Sequence, residues 1–127
     1  MFLDSAAVAI GGAIGSVLRF LITLAATVTL GLGAVGTLAV NVVGCLCIGC
    51  LAEVSILGTT MPERLQLAIR VGLLGGLTTF STFGYEAVVF SQKAGFSTAS
   101  IYVLANLVLG LAAVWGGMSI IRVWFSP

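Results

Sequence analysis

The chain has 127 residues, of which 60% are hydrophobic and only 7% are charged, and its formal net charge is +1. Soluble domains carry roughly 25% charged residues, so this composition excludes a soluble protein and predicts an integral membrane protein. The small net charge argues against nucleic acid as a partner. Because there is no histidine and Asp4 is the only aspartate, the usual metal-site and triad chemistry is excluded too, and we predict no enzyme.

Four apolar segments are long enough to cross a bilayer, which takes about 20 residues. They cover residues 5–27, 35–57, 65–91 and 98–121, separated by linkers at 28–34, 58–64 and 92–97. The sequence therefore predicts an all-α fold, with residues 1–127 as a single transmembrane domain and both chain ends on one side. No basic stretch precedes the first segment, so we interpret it as a retained helix rather than a signal peptide.

The few cations are almost evenly divided between the two predicted sides. Arg64, Arg70 and Arg122 fall towards the side of the chain ends, while Arg19 and Lys93 fall towards the other side. Lys and Arg near span ends normally set the orientation of a membrane protein. A weak bias permits insertion both ways and an antiparallel dimer, and the alternative is chance balance in a chain with few charges.

Small residues mark the first two predicted helices. Gly11 and Gly15 have the small-xxx-small spacing that lets helix backbones approach closely, which indicates tight packing. Cys45, Cys47 and Cys50 fall within one helix, and the first two point to different faces. We interpret the three thiols as packing residues rather than as ligands of one ion.

Residues 75–83, Gly-Gly-Leu-Thr-Thr-Phe-Ser-Thr-Phe, place two glycines, four hydroxyls and two aromatic rings in the middle of the third apolar segment. Lipid cannot satisfy the backbone groups of an interrupted helix, so such a break must be buried in protein or line a polar path. The stretch therefore predicts a broken third helix, with the break near 75–80, that builds a functional site.

Several polar and aromatic residues of the predicted helices are candidates for a functional role. Arg19 either snorkels to the interface or provides a fixed positive charge that draws anions into a vestibule. The amide of Asn41 offers two N–H donors, either to an anion or to a neighbouring helix. Phe80 and Phe83 have helical i, i+3 spacing, so their rings share a face and present positive edges, unless they are ordinary core residues.

Two further residues lie close to these in the predicted helices. Glu86 follows Phe83 by three residues and is either a proton acceptor or one partner of an ion pair with a residue such as Arg70. Tyr102 shares a helix face with Asn106, although a tyrosine near a helix end is also typical of the membrane interface.

Taken together, residues 11–20, the stretch 36–44 with Asn41, and residues 72–83 resemble the signature blocks of the Fluc (CrcB) fluoride channels. The resemblance runs in order over nearly the whole chain. It implies an antiparallel, dual-topology homodimer of four-helix subunits in the lipid bilayer of the cell (inner or plasma) membrane. Two antiparallel pores along the subunit interface would let cytoplasmic fluoride leave passively down its gradient.

The resemblance also implies roles for individual residues. Phe80 and Phe83 would contact fluoride through their ring edges, and Asn41 would be a hydrogen-bonding residue of the pore. Arg19 would be the basic residue of the first helix and Tyr102 the tyrosine of the permeation path. The carbonyls of Gly75 and Thr78, from each subunit, would hold a structural Na⁺ at the dimer centre.

One feature departs from the family pattern. Residues 107–118 of the last helix offer no Ser or Thr for a polar track, so either Asn106 and the hydroxyls of Thr79, Ser81 and Thr82 supply that path, or the chain works beside a paralogous subunit. The rival function is a proton-coupled small multidrug exporter of similar size and dual topology. That class needs a deep carboxylate, normally in the first helix, and Glu86 is the only deep candidate here.

Overall fold

The computed structural model describes residues 1–58 and 61–125, and within these ranges every regular element is helical. The helices are α1 (Phe2–Leu30), α2 (Gly33–Ile56), α3 (Glu63–Gln66), α4 (Leu74–Leu77), α5 (Phe80–Lys93) and α6 (Phe96–Phe125), with a π-helical segment (Leu67–Leu73) between α3 and α4. Four stretches are long and apolar enough to cross a membrane: α1, α2, Glu63–Lys93 and α6. The predicted all-α, four-span fold is confirmed.

The spans are longer at both ends than the apolar pattern indicated, except at the end of α2, which stops one residue earlier. For example, α1 continues through residues 28–30 of the predicted linker and stops only at Gly31, which adopts the left-handed conformation at φ 68°. Glycine adopts this conformation without strain, so it is a common point for a helix to end. Of the predicted linker 58–64, Thr59 and Thr60 lie outside the described residues.

The third span, Glu63–Lys93, is not one regular helix. Thr78 and Thr79 between α4 and α5 are extended, with φ/ψ of −82°/157° and −150°/117°. The predicted break is therefore present but only two residues long, since helix resumes at Phe80 and Gly75 is still helical. The π-helical segment ahead of the break was not predicted.

Close backbone contacts hold α1 against the third span. A Cβ atom built on Gly11 would collide with the carbonyl oxygen of Ala68, and one on Gly15 with that of Leu73. The contact is reciprocal, because a Cβ on Gly76 would lie 2.6 Å from the carbonyl oxygen of Gly12. The predicted packing role of the α1 glycines is confirmed.

Helix α2 packs along α6 by the same device. A Cβ on Gly49 would collide with the carbonyl of Val114, and one on Gly117 with that of Leu46. A Cβ on Gly110 would lie 3.4 Å from the Sγ of Cys45, so this cysteine is part of the packed interface. With α1 on one side and α6 on the other, α2 is the central helix of the subunit.

Two ion pairs between different helices lie at the end of the bundle where α1 begins and α6 ends. Arg64 donates to Asp4 at 3.1 Å, joining the start of the third span to the start of α1. Arg122 donates through two nitrogens to both oxygens of the buried Glu53, at 2.9 and 3.1 Å. The predicted placement of both chain ends on one side agrees with these contacts.

The predicted division of the cations between the two sides of the membrane stays a prediction. Arg64 and Arg122 form ion pairs at the end of the bundle where α1 begins, and Lys93 lies at the end of α5. The guanidinium of Arg19 reaches the carbonyl of Thr78 at the helix break, near the middle of the third span.

Candidate functional site

The extended residues Thr78 and Thr79 interrupt the helical hydrogen bonds of the third span at its centre. In a continuous helix the N–H of Thr79 would donate to the carbonyl of Gly75, but it donates instead to Oδ1 of Asn41 at 2.9 Å. The N–H of Thr82 donates to the Oγ1 of Thr79 at 3.2 Å, not to the carbonyl of Thr78. The carbonyls of Gly75 and Thr78 are thereby released from their usual helical donors.

Asn41, from the middle of α2, fastens the break to the rest of the subunit. Its Nδ2 donates to the carbonyl of Thr79 and to Oδ1 of Asn106, both at 3.2 Å. These two bonds use both amide protons, and the amide oxygen accepts from the Thr79 N–H. Asn106 in turn donates to the carbonyl of Tyr102 at 3.1 Å. Of the two sequence interpretations of Asn41, the structure contains the bonds to neighbouring segments, and direct contact with an anion stays a prediction.

Arg19 has a role that neither sequence interpretation included. Its Nη1 donates to the carbonyl of Thr78 at 3.1 Å, so α1 also contacts the break directly. The carbonyl at a helix C-terminus carries partial negative charge and attracts a cation. The attraction of anions into a vestibule stays a prediction. The guanidinium that would provide it is hydrogen-bonded within the subunit, to the carbonyl of Thr78.

Thr79 begins α5 as its N-cap. Besides accepting from the Thr82 N–H, its hydroxyl donates to the Thr82 hydroxyl at 3.0 Å and lies 3.4 Å from that of Ser81. Thr79 is buried, whereas Ser81 and Thr82 are exposed on the subunit surface. A Ser/Thr cap of this kind explains why helix resumes immediately after the break.

The released carbonyls of Gly75 and Thr78 fit a hard cation in chemistry, because Na⁺ and similar ions prefer neutral and anionic oxygen ligands. Gly75 offers open space, since a Cβ built on it would meet no atom within 4 Å. The Thr78 oxygen already accepts from Arg19, which leaves one lone pair for an ion. The sodium site formed by these two carbonyls stays a prediction.

The rings of Phe80 and Phe83 lie side by side, as their spacing predicted. Their centroids are 5.5 Å apart and their planes are tilted by 55°. Phe80 is 82% exposed, whereas Phe83 is only 8% exposed. The ring of Phe83 packs against that of Tyr102, with the two ring centroids 5.7 Å apart. Phe90 completes the cluster with an edge-on contact to Tyr102 at 5.2 Å.

A cavity of about 400 Å³, open on one side, joins these features. It runs between α2, α6 and the third span. Its wall includes the predicted site residues Asn41, Gly75, Thr78, Phe80 and Phe83, together with Thr79, Asn106 and Leu107. Tyr102, Arg19, Ser81 and Thr82 do not line it, although Tyr102 touches Phe83 and Arg19 touches Thr78. The wall thus combines amides, carbonyls, aromatic rings and the guanidinium of Arg70 with apolar carbon.

Next to the ring cluster, Glu86 accepts two hydrogen bonds from neutral hydroxyls. Tyr102 donates to Oε2 at 2.6 Å and Thr37 donates to Oε1 at 3.1 Å. Within the described part of the chain, no cation pairs with this carboxylate. The sequence analysis did not single out Thr37. Its spacing of four residues from Asn41, which places both on the same face of α2, could have indicated it.

The last helix has no polar track beyond Asn106, as its sequence indicated. Leu107 is the next cavity-lining residue, and Gly110 and Gly117 face α2 rather than the cavity. Among the residues that line the cavity, those that carry a hydroxyl are Thr78 and Thr79, on the third span.

Comparisons with known proteins place the chain in a family. Residues 6–118 match the family described as "CrcB-like protein, Camphor Resistance (CrcB)". A protein of Geobacter metallireducens named "Fluoride-specific ion channel FluC" is 41% identical over 91% of this chain and 94% of its own length. Relatives with the same name in Rhizobium etli and Shewanella amazonensis are 42% and 45% identical, over 91% and 90% of this chain and 93% and 92% of theirs. This multi-pass membrane protein therefore belongs to the CrcB family.

Proposed function

We propose that the protein is a passive, fluoride-selective channel that lets cytoplasmic fluoride leave the cell down its gradient. The observation that carries the proposal is the cavity in which the tilted rings of Phe80 and Phe83 meet the amides of Asn41 and Asn106 beside a helix break. Relatives similar to this chain over most of its length are named as fluoride-specific ion channels.

The chemistry of the wall suits a small, strongly hydrated anion. Neutral donors and the positive edges of aromatic rings replace part of the hydration shell without binding the ion so strongly that it cannot leave. HF, the protonated form of fluoride, enters cells at low external pH and ionises inside. A passive pore then lowers the internal fluoride concentration, because the fluoride gradient alone drives the ion out of the cell.

An antiparallel homodimer with two pores would complete the site. The cavity is open, and Phe80 at its rim is 82% exposed, so a second subunit is needed to enclose a path through the bilayer. Gly75 and Gly84 have no neighbour within 4 Å of a built Cβ, which leaves room for close approach of another backbone. A paralogous partner remains the alternative, and purification of the chain alone, with its mass measured in detergent, separates the two.

We further propose that Na⁺ binds the carbonyls of Gly75 and Thr78 from both subunits and stabilises the dimer at the break. The ion would supply the positive charge that partly released carbonyls attract. Replacement of Na⁺ by N-methylglucamine should lower the thermal stability of the dimer, and an unchanged melting temperature would contradict this assignment.

The direct test of function is efflux from liposomes that contain the purified protein. We expect rapid loss of fluoride, read with an ion-selective electrode, and no loss of chloride under the same conditions. Equal loss of both anions would contradict selectivity.

The rival, a proton-coupled multidrug exporter, is kept because Glu86 is a carboxylate at membrane depth. Its two hydroxyl partners, Tyr102 and Thr37, favour a positioning role in the polar cluster over exchange with a cationic drug. Proton release on addition of a quaternary ammonium compound, with no fluoride flux, would establish the rival.

A further inference from the structure

Arg70 is a cation in the membrane-spanning part of the chain, within the third span. It lies seven residues after the start of α3, which is about 10 Å along a helix axis. A charged side chain at such a depth is costly unless it meets water, a counter-ion or a polar cavity.

Arg70 lines the same cavity as Asn41, Phe80 and Phe83. Among the described residues of that wall it is the single charged side chain, and no carboxylate accompanies it. Cys45, Ile48 and Leu74 make the neighbouring wall largely apolar. A cavity whose charge is one guanidinium among neutral groups attracts anions rather than cations.

The other cations of the described chain are either engaged or at a helix end. Arg19 bonds the Thr78 carbonyl, Arg64 pairs with Asp4, and Arg122 pairs with Glu53. Lys93 ends α5 and is exposed. Arg70 has no hydrogen bond or ion pair with any residue of 1–58 or 61–125, so its charge is not neutralised within this part of the subunit.

The backbone around Arg70 is not a regular α-helix. It is at the centre of the π-helical segment Leu67–Leu73, and the N–H of Leu74 donates to the carbonyl of Ile69, five residues earlier. On one side of the segment, Ala68 and Gly72 pack against α1. Short π-helical segments occur frequently at functional sites, since they change the direction of side chains within a helix.

We propose that Arg70 is an electrostatic entry residue for fluoride at the end of the cavity nearer the chain termini. This inference rests on the proposed channel function. The guanidinium raises the local concentration of the anion ahead of the neutral ring and amide groups. It acts as a charge, so lysine should replace it.

The test measures fluoride efflux from liposomes for wild type, Arg70→Gln, Arg70→Lys and the control Lys93→Gln, at low and at saturating internal fluoride. Fixed charge raises local ion concentrations by about 10-fold or more, so Arg70→Gln should lose about 10-fold of the flux at low fluoride and low ionic strength. At saturating fluoride the loss should become small. Arg70→Lys and Lys93→Gln should behave as wild type.

Three results would overturn the proposal. The first is a flux of Arg70→Gln equal to wild type at every concentration. The second is an equal loss at all fluoride concentrations, which indicates general damage to the pore. The third is dissociation of the Arg70→Gln dimer with unchanged flux per remaining dimer, which would instead indicate a counter-ion in the second subunit. A wild-type protein that does not conduct fluoride contradicts the channel function itself, so the two failures are distinguishable.

Discussion

Asn41 joins the helix break to α2 and α6 through a single side chain. Its Oδ1 accepts from the N–H of Thr79, which replaces the hydrogen bond that this N–H would make in a continuous helix, and its Nδ2 donates to the carbonyl of the same residue. A buried backbone group without a partner is costly in lipid, where water cannot substitute. The geometry of the site therefore depends on this amide even where it makes no contact with an ion.

We predict that Asn41→Ala lowers the free energy of unfolding by about 1–3 kcal/mol, the usual cost of a buried donor left unpaired. Thermal unfolding in detergent measures the effect. Ser55→Ala is the matched control, because that exposed hydroxyl bonds only the carbonyl of Leu51 in its own helix. Equal stabilities of the two variants would contradict the role of Asn41.

Most residues of the candidate site could be found from the sequence, because amides, hydroxyls and a guanidinium are conspicuous in apolar helices. Their partners could not. Whether Asn41 and Arg19 point at an ion or at Thr78 and Thr79 depends on how α1 and α2 approach the break, which is set by contacts between segments far apart in the chain.

At the scale of elements, glycines decide how closely α1 and the third span approach. Gly15 lies against the backbone of Leu73 and Leu77, so that any added carbon collides with main-chain atoms that cannot move aside. Gly12 is on the same helix but has more room, with the nearest atom 3.9 Å from a built Cβ.

This difference predicts that Gly15→Ala destabilises the protein by about 1–3 kcal/mol or more, as overpacking of a tight interface does. Gly12→Ala should have little effect, since a contact of this length is ordinary van der Waals packing. Both variants are compared by thermal unfolding in the same detergent. A loss for Gly12→Ala equal to or greater than that for Gly15→Ala would contradict this prediction.

The four spans could be predicted from hydropathy, because a segment that crosses lipid must be apolar and must pair its backbone N–H and C=O groups within a helix. The break could be predicted too, because Thr-Thr and Gly-Gly are unusual at the centre of a span. The π-helical segment could not, since the residues Leu67–Leu73 have no composition that distinguishes them from an α-helix. This π-helical segment also packs closely against the glycines of α1, a contact between segments far apart in the chain.

At the scale of the whole molecule, the pair of Glu53 and Arg122 connects the end of α2 to the end of α6. The Glu53 side chain is 2% exposed, whereas that of Arg122 is 61% exposed. Removal of the cation alone would leave a buried carboxylate without its partner, which costs more than the loss of the pair as a unit.

We therefore predict that Arg122→Met lowers the melting temperature more than the double variant Glu53→Leu/Arg122→Met. Lys93→Met, at the opposite end of the bundle, should leave the melting temperature unchanged. If the double variant is less stable than Arg122→Met, the pair contributes more than it costs and the argument is wrong.

We propose that fluoride crosses the membrane through the cavity beside the rings of Phe80 and Phe83. The most direct measurement is fluoride efflux from liposomes for wild type, Phe80→Ile and Phe96→Ile, each beside a matched chloride experiment. Phe96 is a suitable control because it is 81% exposed at the start of α6 and lies outside this cavity. We predict loss of fluoride flux in Phe80→Ile alone, with both variants remaining folded. Undiminished flux through folded Phe80→Ile protein would contradict the claim.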